Sequence, residues 1–367
     1  MPDSRYRSAP QIPCLRRIEM NAATPSRLPF ASDYMHGAHP DVLEALCRTN
    51  MEAASGYGTD EYSENARSLI REACGAPDAE VFFLAGGTQA NAVCIGALLD
   101  SYEGVIAADT GHVCLHEAGA IELTGHKVLQ LPQTDGKLSA ETVDEYCGAF
   151  FSDDNRDHMV MPGMVYISHP TEYGTLYSLK ELTALKEACG KHGLSLYLDG
   201  ARLAYALACK ESDVTLKDLA RLCDVFYIGG TKCGALLGEA VVIPSPGRIP
   251  HFFTIIKQRG ALLAKGRVAG VQFGALFSNA LYTEIGRHAL EAADRLRKAL
   301  IEKGYDLAVS SPTNQLFVVT DDEKLEYLSK YVDFTFWEKT PDGRSVIRFA
   351  TSWATKGSDT DSLISLL

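Results

Sequence analysis

No Cys-x-x-Cys pair occurs in the 367 residues, although ten cysteines are scattered from Cys14 to Cys233. That pattern excludes a zinc ribbon and a small disulfide scaffold, and it suits a reducing cytosol. No apolar run reaches the roughly 18 residues that span a bilayer, so no membrane segment is expected. Positive charge is also scarce: 35 Lys and Arg against 47 Asp and Glu leave a formal net charge of −12. Such a surface repels phosphate backbones, which argues against general nucleic-acid binding. Gly-Lys-Ser/Thr and Gly-x-Gly-x-x-Gly are both absent, so neither a P-loop nor a dinucleotide fingerprint is present. The remaining composition, 46% apolar and 22% charged, is that of a soluble globular chain of about two domains.

Residues 1–26 stand apart. They carry Arg5, Arg7, Arg16 and Arg17 but no apolar core, so a secretory signal is not expected. A basic, serine-containing transit segment is the alternative, interrupted by Asp3 and Glu19; the simpler reading is a flexible extension.

From Pro40 onward the pattern alternates. Helices are expected over Pro40–Ala54, Tyr62–Cys74 and Gln89–Asp100. Strands are expected at Val81–Leu84, Gly104–Ala107, Lys127–Leu131, Met164–Ser168, Leu194–Leu198, Val225–Ile228 and Ala240–Ile243. Short apolar runs separated by helical stretches imply βαβ units and an α/β fold with a mostly parallel sheet, whose ligands bind beyond the carboxyl ends of the strands. After Gly266 the rhythm changes to one long helical stretch reaching Lys303, strands at Leu307–Val309, Leu316–Thr320, Phe334–Trp337 and Val346–Ala350, and a helix over Glu323–Lys330. This divides the chain into a large domain, 27–265, and a small C-terminal α+β domain, 266–367.

Three sites that follow strands carry the chemistry. In Gly86-Gly87-Thr88-Gln89-Ala90-Asn91 a strand runs into a helix. Glycines there allow close approach of an anion to helix N–H groups, which fits a phosphate monoester; a plain helix cap is the alternative. In Leu196-Tyr197-Leu198-Asp199-Gly200-Ala201-Arg202 an aspartate ends an apolar strand. Its burial demands something positive, either a protonated pyridine nitrogen or a structural Asp–Arg pair. In Gly229-Gly230-Thr231-Lys232-Cys233-Gly234 a lysine follows a buried strand among glycines. It is either a loop lysine or one poised to form a Schiff base. Lys232 and Asp199 fall one helix and one strand apart, at the same sheet edge.

Taken together, these segments resemble the threonine aldolase / β-eliminating lyase family of fold-type I pyridoxal-phosphate (PLP) enzymes. Phe30-Ala31-Ser32-Asp33, Tyr57-Gly58-Thr59-Asp60 and Gly111-His112 through Ala120 extend the match to about residues 28–360. The resemblance implies the PLP-dependent transferase fold type I, with a sheet of the seven-stranded type. It implies retro-aldol cleavage of a β-hydroxy-α-amino acid (threonine, allo-threonine or phenylserine) to glycine and an aldehyde. It assigns the internal Schiff base to Lys232, the pyridinium partner to Asp199, a ring-stacking place to His112, and the phosphate to Gly87 and Thr88. It places Arg202, Arg348, Ser32 and Tyr57 with the substrate, and Arg267 at a neighbouring subunit's phosphate in a homotetramer whose sites lie at the dimer interface. From the cysteine usage, a cytoplasmic enzyme is expected.

One departure stands out. Many family members carry a histidine after the threonine of the motif that here reads Ser168-His169-Pro170-Thr171-Glu172. Glu172 occupies its place, so the base for the substrate hydroxyl is open among His112, Glu117, Glu172 and a water. His112, His116 and Glu117 lack the order of a metalloprotease helix, and Cys233 has no base motif beside it, so no metal site and no thiol nucleophile is expected. The rival activities are β-elimination on another amino acid and a non-catalytic homologue.

Overall fold

The computed structural model describes residues 27–367, and the expectations for 1–26 lie outside them. The chain enters through a two-residue strand, β1 (Leu28–Pro29). Seven strands follow: β2 (Glu80–Leu84), β3 (Glu103–Ala108), β4 (Val128–Leu131), β5 (Met161–Ser168), β6 (Ser195–Asp199), β7 (Val225–Gly229) and β8 (Glu239–Ile243). They form one sheet in the order β2-β8-β7-β6-β5-β3-β4. The pairs from β7 through β4 are parallel, and β8 runs antiparallel between β7 and β2.

Side-chain alternation divides the core in two. Ile106, Val165, Leu196, Leu198, Phe226 and Val242 pack on one face. Ala107, Tyr166, Tyr197, Tyr227 and Val241 pack on the other, against Ala90, Val93 and Cys94 of the helix Gly87–Leu98. With both faces covered, the strands read as continuous apolar runs, which is why the sequence shows them clearly.

The C-terminal region contributes β9 (Gln315–Thr320), β10 (Val332–Asp333), β11 (Thr335–Lys339) and β12 (Ser345–Ala350). The last of these is central in a three-stranded antiparallel sheet, β11-β12-β9. β1 pairs with β10, and Ala350 N–H donates to Phe30 O at 2.8 Å, so the segment around residue 30 is laced to this sheet.

Three expectations change. The stretch 266–303 is two helices, Arg267–Phe277 and Leu281–Glu302. Asn279 and Ala280 between them adopt left-handed φ of 53° and 58°, which a helix cannot continue through. The first helix stops at Thr49 rather than Ala54, and Arg267 donates to the carbonyls of Thr49 and Glu52 there. That guanidinium supplies donors the helix end lacks. Leu307–Val309 is no strand: Leu307 makes a single bridge, to Val318.

His169 is fully buried between β5 and the following loop. Its Nδ1 accepts from Tyr177 N–H at 3.3 Å, and Nε2 has no partner. Burial, the largest influence, lowers its pKa from 6.5 to about 4. The unfolded chain therefore binds the proton more readily, and stability falls as pH drops from about 6.5 towards 4, with no such loss above that window. By this linkage the cost at pH 5 is about 2 kcal/mol. Urea denaturation at pH 7.5 and 5 should show His169→Asn with the shallower pH dependence; equal slopes in both proteins would refute this role.

Candidate active site

The carboxyl ends of β2, β3, β5, β6 and β7 surround a cleft of about 310 Å³. Gly87 and Thr88 line it after β2, His112 after β3, Glu172 after β5, Asp199 and Arg202 after β6, and Lys232 after β7. A larger cavity, about 670 Å³, lies beside the helices Pro40–Thr49 and Arg267–Phe277 and holds none of these residues.

Asp199 is 4% exposed yet richly bonded. Its Oδ1 accepts from Tyr227 Oη at 2.5 Å and Ala201 N at 3.0 Å. Its Oδ2 accepts from Tyr166 Oη at 2.7 Å and Asn91 Nδ2 at 2.9 Å. Burial alone would raise its pKa, but the His112 ring and these donors outweigh burial and hold it below the ordinary value. The result is a buried anion at the cleft floor.

Asn91 ties this anion to a second one. Its amide also donates to Glu117 Oε1 at 2.7 Å, its own oxygen accepts from Tyr197 Oη at 3.0 Å, and Glu117 Oε1 lies 2.7 Å from His112 Nδ1. This contact with a carboxylate fixes the orientation of the His112 ring.

Lys232 Nζ makes no hydrogen bond among the described residues and stands 6.0 Å from the Tyr34 ring. Burial first, and then the Arg202 charge, lower its pKa. An amine so placed is a ready nucleophile for a carbonyl. Arg202 gives Nε and Nη2 to Asp33 at 2.6 and 3.0 Å, leaving Nη1 without a protein partner among the described residues. Glu172 Oε1 accepts from Ser168 Oγ at 2.6 Å and His112 N at 2.9 Å, while burial raises its pKa.

The cradle also has room for an anion. The helix Gly87–Leu98 begins with no side-chain cap, so its first N–H groups are available. A Cβ on Gly86 would meet nothing within 4 Å, whereas one on Gly87 would meet Tyr227 Oη at 3.0 Å. Gly86 thus opens the space, and Gly87 admits the tyrosine that bonds Asp199.

A family model described as beta-eliminating lyase matches residues 29–323. The low-specificity L-threonine aldolase of Pseudomonas sp. (strain NCIMB 10558) is 31% identical over 335 residues, covering 89% of this chain and 93% of that one. The chain belongs to the beta-eliminating lyase family. The Leishmania major threonine aldolase structure is similar at a TM-score of 0.89 and 41% identity, covering 92% of this chain and 98% of that one. A structure of SPT with PLP, at 17% identity and a TM-score of 0.68 over 92% of this chain and 85% of that one, shares the fold.

Within this beta-eliminating lyase, seven of the expected residues share the cleft, and the others lie around it. Glu117 is one layer behind His112. Arg348, from the centre of β12, donates to Gln315 Oε1, Ala31 O and Thr335 Oγ1, and its buried Nε has no partner. Ser32 sits between Ala31 and Asp33, which bind Arg348 and Arg202 respectively. Tyr57 and Arg267 lie outside the cleft: the Tyr57 ring is 4.3 Å from Lys257 Nζ, and Arg267 closes the first helix.

Sequence reasoning missed the cage of Asp199. Its signal was there: Tyr166, Tyr197 and Tyr227 each stand two places before the last residue of adjacent strands. Period-2 geometry puts them on the face of Asp199. Asp33 has no role in the sequence reading, and Glu239 escapes it because it opens its strand instead of following one.

Asn91→Ala leaves two buried carboxylates short of a donor and should cost about 1–3 kcal/mol of stability. Urea denaturation at neutral pH measures it; an unchanged midpoint and slope would contradict the bridging role.

Proposed function

We propose that this lyase binds PLP in the cleft at Lys232 and cleaves β-hydroxy-α-amino acids of the threonine, allo-threonine or phenylserine type to glycine and an aldehyde. The observation that carries the reading is the pairing of an unbonded Lys232 amine, on a half-buried side chain that lines the cleft, with the caged Asp199 anion at one sheet edge. When bound, PLP supplies an aldehyde for amines and a pyridinium ring that withdraws electrons from the substrate α-carbon.

The protein groups divide the remaining work. Asp199 would face the ring nitrogen. All four of its lone-pair directions are taken, so one donor must yield, and Tyr166 Oη has an alternative partner in Ser168 Oγ at 3.2 Å. Gly87 and Thr88 would hold the phosphate, and the His112 ring would cover the cofactor face. Arg348 Nε, buried without a partner, and Arg202 Nη1 are suited to the substrate carboxylate, with Ser32 beside them. Holding that carboxylate would fix the orientation of the substrate α-carbon in the cleft, and so which of its bonds breaks.

Glu172 is the proposed base. Ser168 and the His112 N–H fix Oε1, which leaves Oε2 to take the β-hydroxyl proton as the Cα–Cβ bond breaks and the aldehyde departs. Its raised pKa makes it a stronger base than an ordinary carboxylate. Glu117 would orient His112. Lys232 Nζ, which lines the cleft, would carry a proton to the substrate α-carbon.

The proposal extends to assembly and location. Tyr57 and Arg267 lie away from this cleft, which supports a homotetramer in which they complete a neighbour's site at the dimer interface. Eight described cysteines, from Cys74 to Cys233, are free thiols, which fits a cytoplasmic enzyme acting on a small amino acid, and no described helix is long and apolar enough to cross a membrane.

Acetaldehyde release from L-threonine, followed together with the absorbance band of bound PLP, tests the reading. Lys232→Ala should lose both band and product. Glu172→Gln should keep the band while the rate falls by about 10²-fold or more. Native protein that is yellow but releases no aldehyde from any β-hydroxy amino acid would leave β-elimination instead, and native protein without a band would overturn the cofactor assignment.

A further inference from the structure

Glu239 lines the cleft but has no part in the steps above. It begins β8, the antiparallel strand, so its end of the strand lies at the same edge as the carboxyl ends of the neighbours. Its register partners are Leu84 of β2 and Gly229 of β7. One leads directly into Ala85-Gly86-Gly87-Thr88 and the other into Gly230-Thr231-Lys232. The side chain lines the same cleft as the phosphate cradle and the lysine. It is 3% exposed, accepts from Gly230 N at 3.0 Å, and forms no ion pair among the described residues.

A buried carboxyl without a cation favours its neutral form. Burial is the largest influence on Glu239, and its pKa rises to about 8 although the Thr231 hydroxyl and Lys232 act the other way. The other titratable groups around it are Asp199 of β6, Tyr227 of β7, Cys233 and Tyr282; Asp199 is the anion among them and strengthens the trend. A phosphate in the cradle would bring a second anion close to this carboxyl, in a site where like charges are poorly screened. A neutral acid avoids that repulsion and can donate its proton in a hydrogen bond.

We propose that Glu239 is a proton-bearing wall of the phosphate site, neutral while the phosphate is bound, so that phosphate binding and protonation of Glu239 are linked. The inference rests on the reading that Gly86–Thr88 holds the cofactor phosphate. Linkage is reciprocal: a group that gains a proton on binding makes affinity fall as pH rises through its free-state value, here about 8. Glu239 is a positioning residue in this role, since it tunes retention of the cofactor rather than the reacting bond.

The probe is pyridoxamine 5′-phosphate added to apoprotein, because it carries the phosphate but no aldehyde to react with Lys232. Pyridoxamine without the phosphate is the control. For native protein, the dissociation constant of the phosphorylated ligand should rise towards tenfold per pH unit above about pH 8. Calorimetry near pH 9 in buffers of different ionisation enthalpy should read about one more proton taken up with the phosphorylated ligand than with the control. Glu239→Gln, which stays neutral, should lose this extra proton and the matching part of the slope. Equal proton uptake for the two ligands in native protein would overturn the proposal, whether or not the variant folds. So would an unchanged difference in a folded Glu239→Gln. If neither ligand binds, the cofactor reading itself fails and this inference fails with it.

Discussion

The buried carboxylate of Asp199 is the constraint around which the large sheet is organised. An ionised carboxylate at this depth is tolerated only when its lone pairs are satisfied, and here four donors from four elements do that. Two are tyrosines of neighbouring strands, one is an amide from the helix that begins at the cradle, and one is the backbone just beyond β6. Each donor fixes something else. Tyr227 packs close against position 87, Asn91 fixes Glu117 and through it His112, and Tyr166 shares its hydroxyl with the serine that holds Glu172. His112, Asp199 and Glu172 are thus held by one hydrogen-bonded network, which resists partial change.

The second organising contact joins the two sheets. β1 is laced to the small sheet, and four residues later Asp33 enters the cleft and pairs with Arg202 through two hydrogen bonds. Asn314, one residue before β9, also donates to Asp33 at 3.0 Å. Arg348 reaches back to Ala31 O from the centre of the small sheet. Two arginines from different sheets are therefore set by one short segment of chain. Arg348 keeps a bare Nε in a buried setting, an arrangement that a carboxylate would complete.

Much of this was legible in the sequence, for a physical reason. Strands covered on both faces must be continuously apolar, so β2 to β8 announced themselves, and the polar residue ending each run was conspicuous. Asp199, Lys232, Gly87 and Thr88 stood out in that way, whereas His112 and Glu172 were placed by the family resemblance. What escaped was what depends on pairing between strands. Tyr166 and Tyr227 read as core aromatics until register placed their hydroxyls on Asp199. Glu239 escaped because the reasoning looked beyond strand ends, and β8 runs the other way. The break at Asn279-Ala280 escaped because its one signal, an asparagine that tolerates left-handed backbone, has no glycine or proline beside it and is followed by alanine, a strong helix former.

The central claim is that the Asp199 cage keeps an anion where the cofactor's ring nitrogen must stay protonated. The direct measurement is the nitrogen NMR shift of PLP labelled with ¹⁵N in the ring and bound to the native protein, followed from about pH 6 to 9. The claim predicts a pyridinium shift that does not titrate across this range, because the carboxylate opposite it remains charged throughout. A shift typical of neutral pyridine, or one that titrates near neutrality, would contradict it.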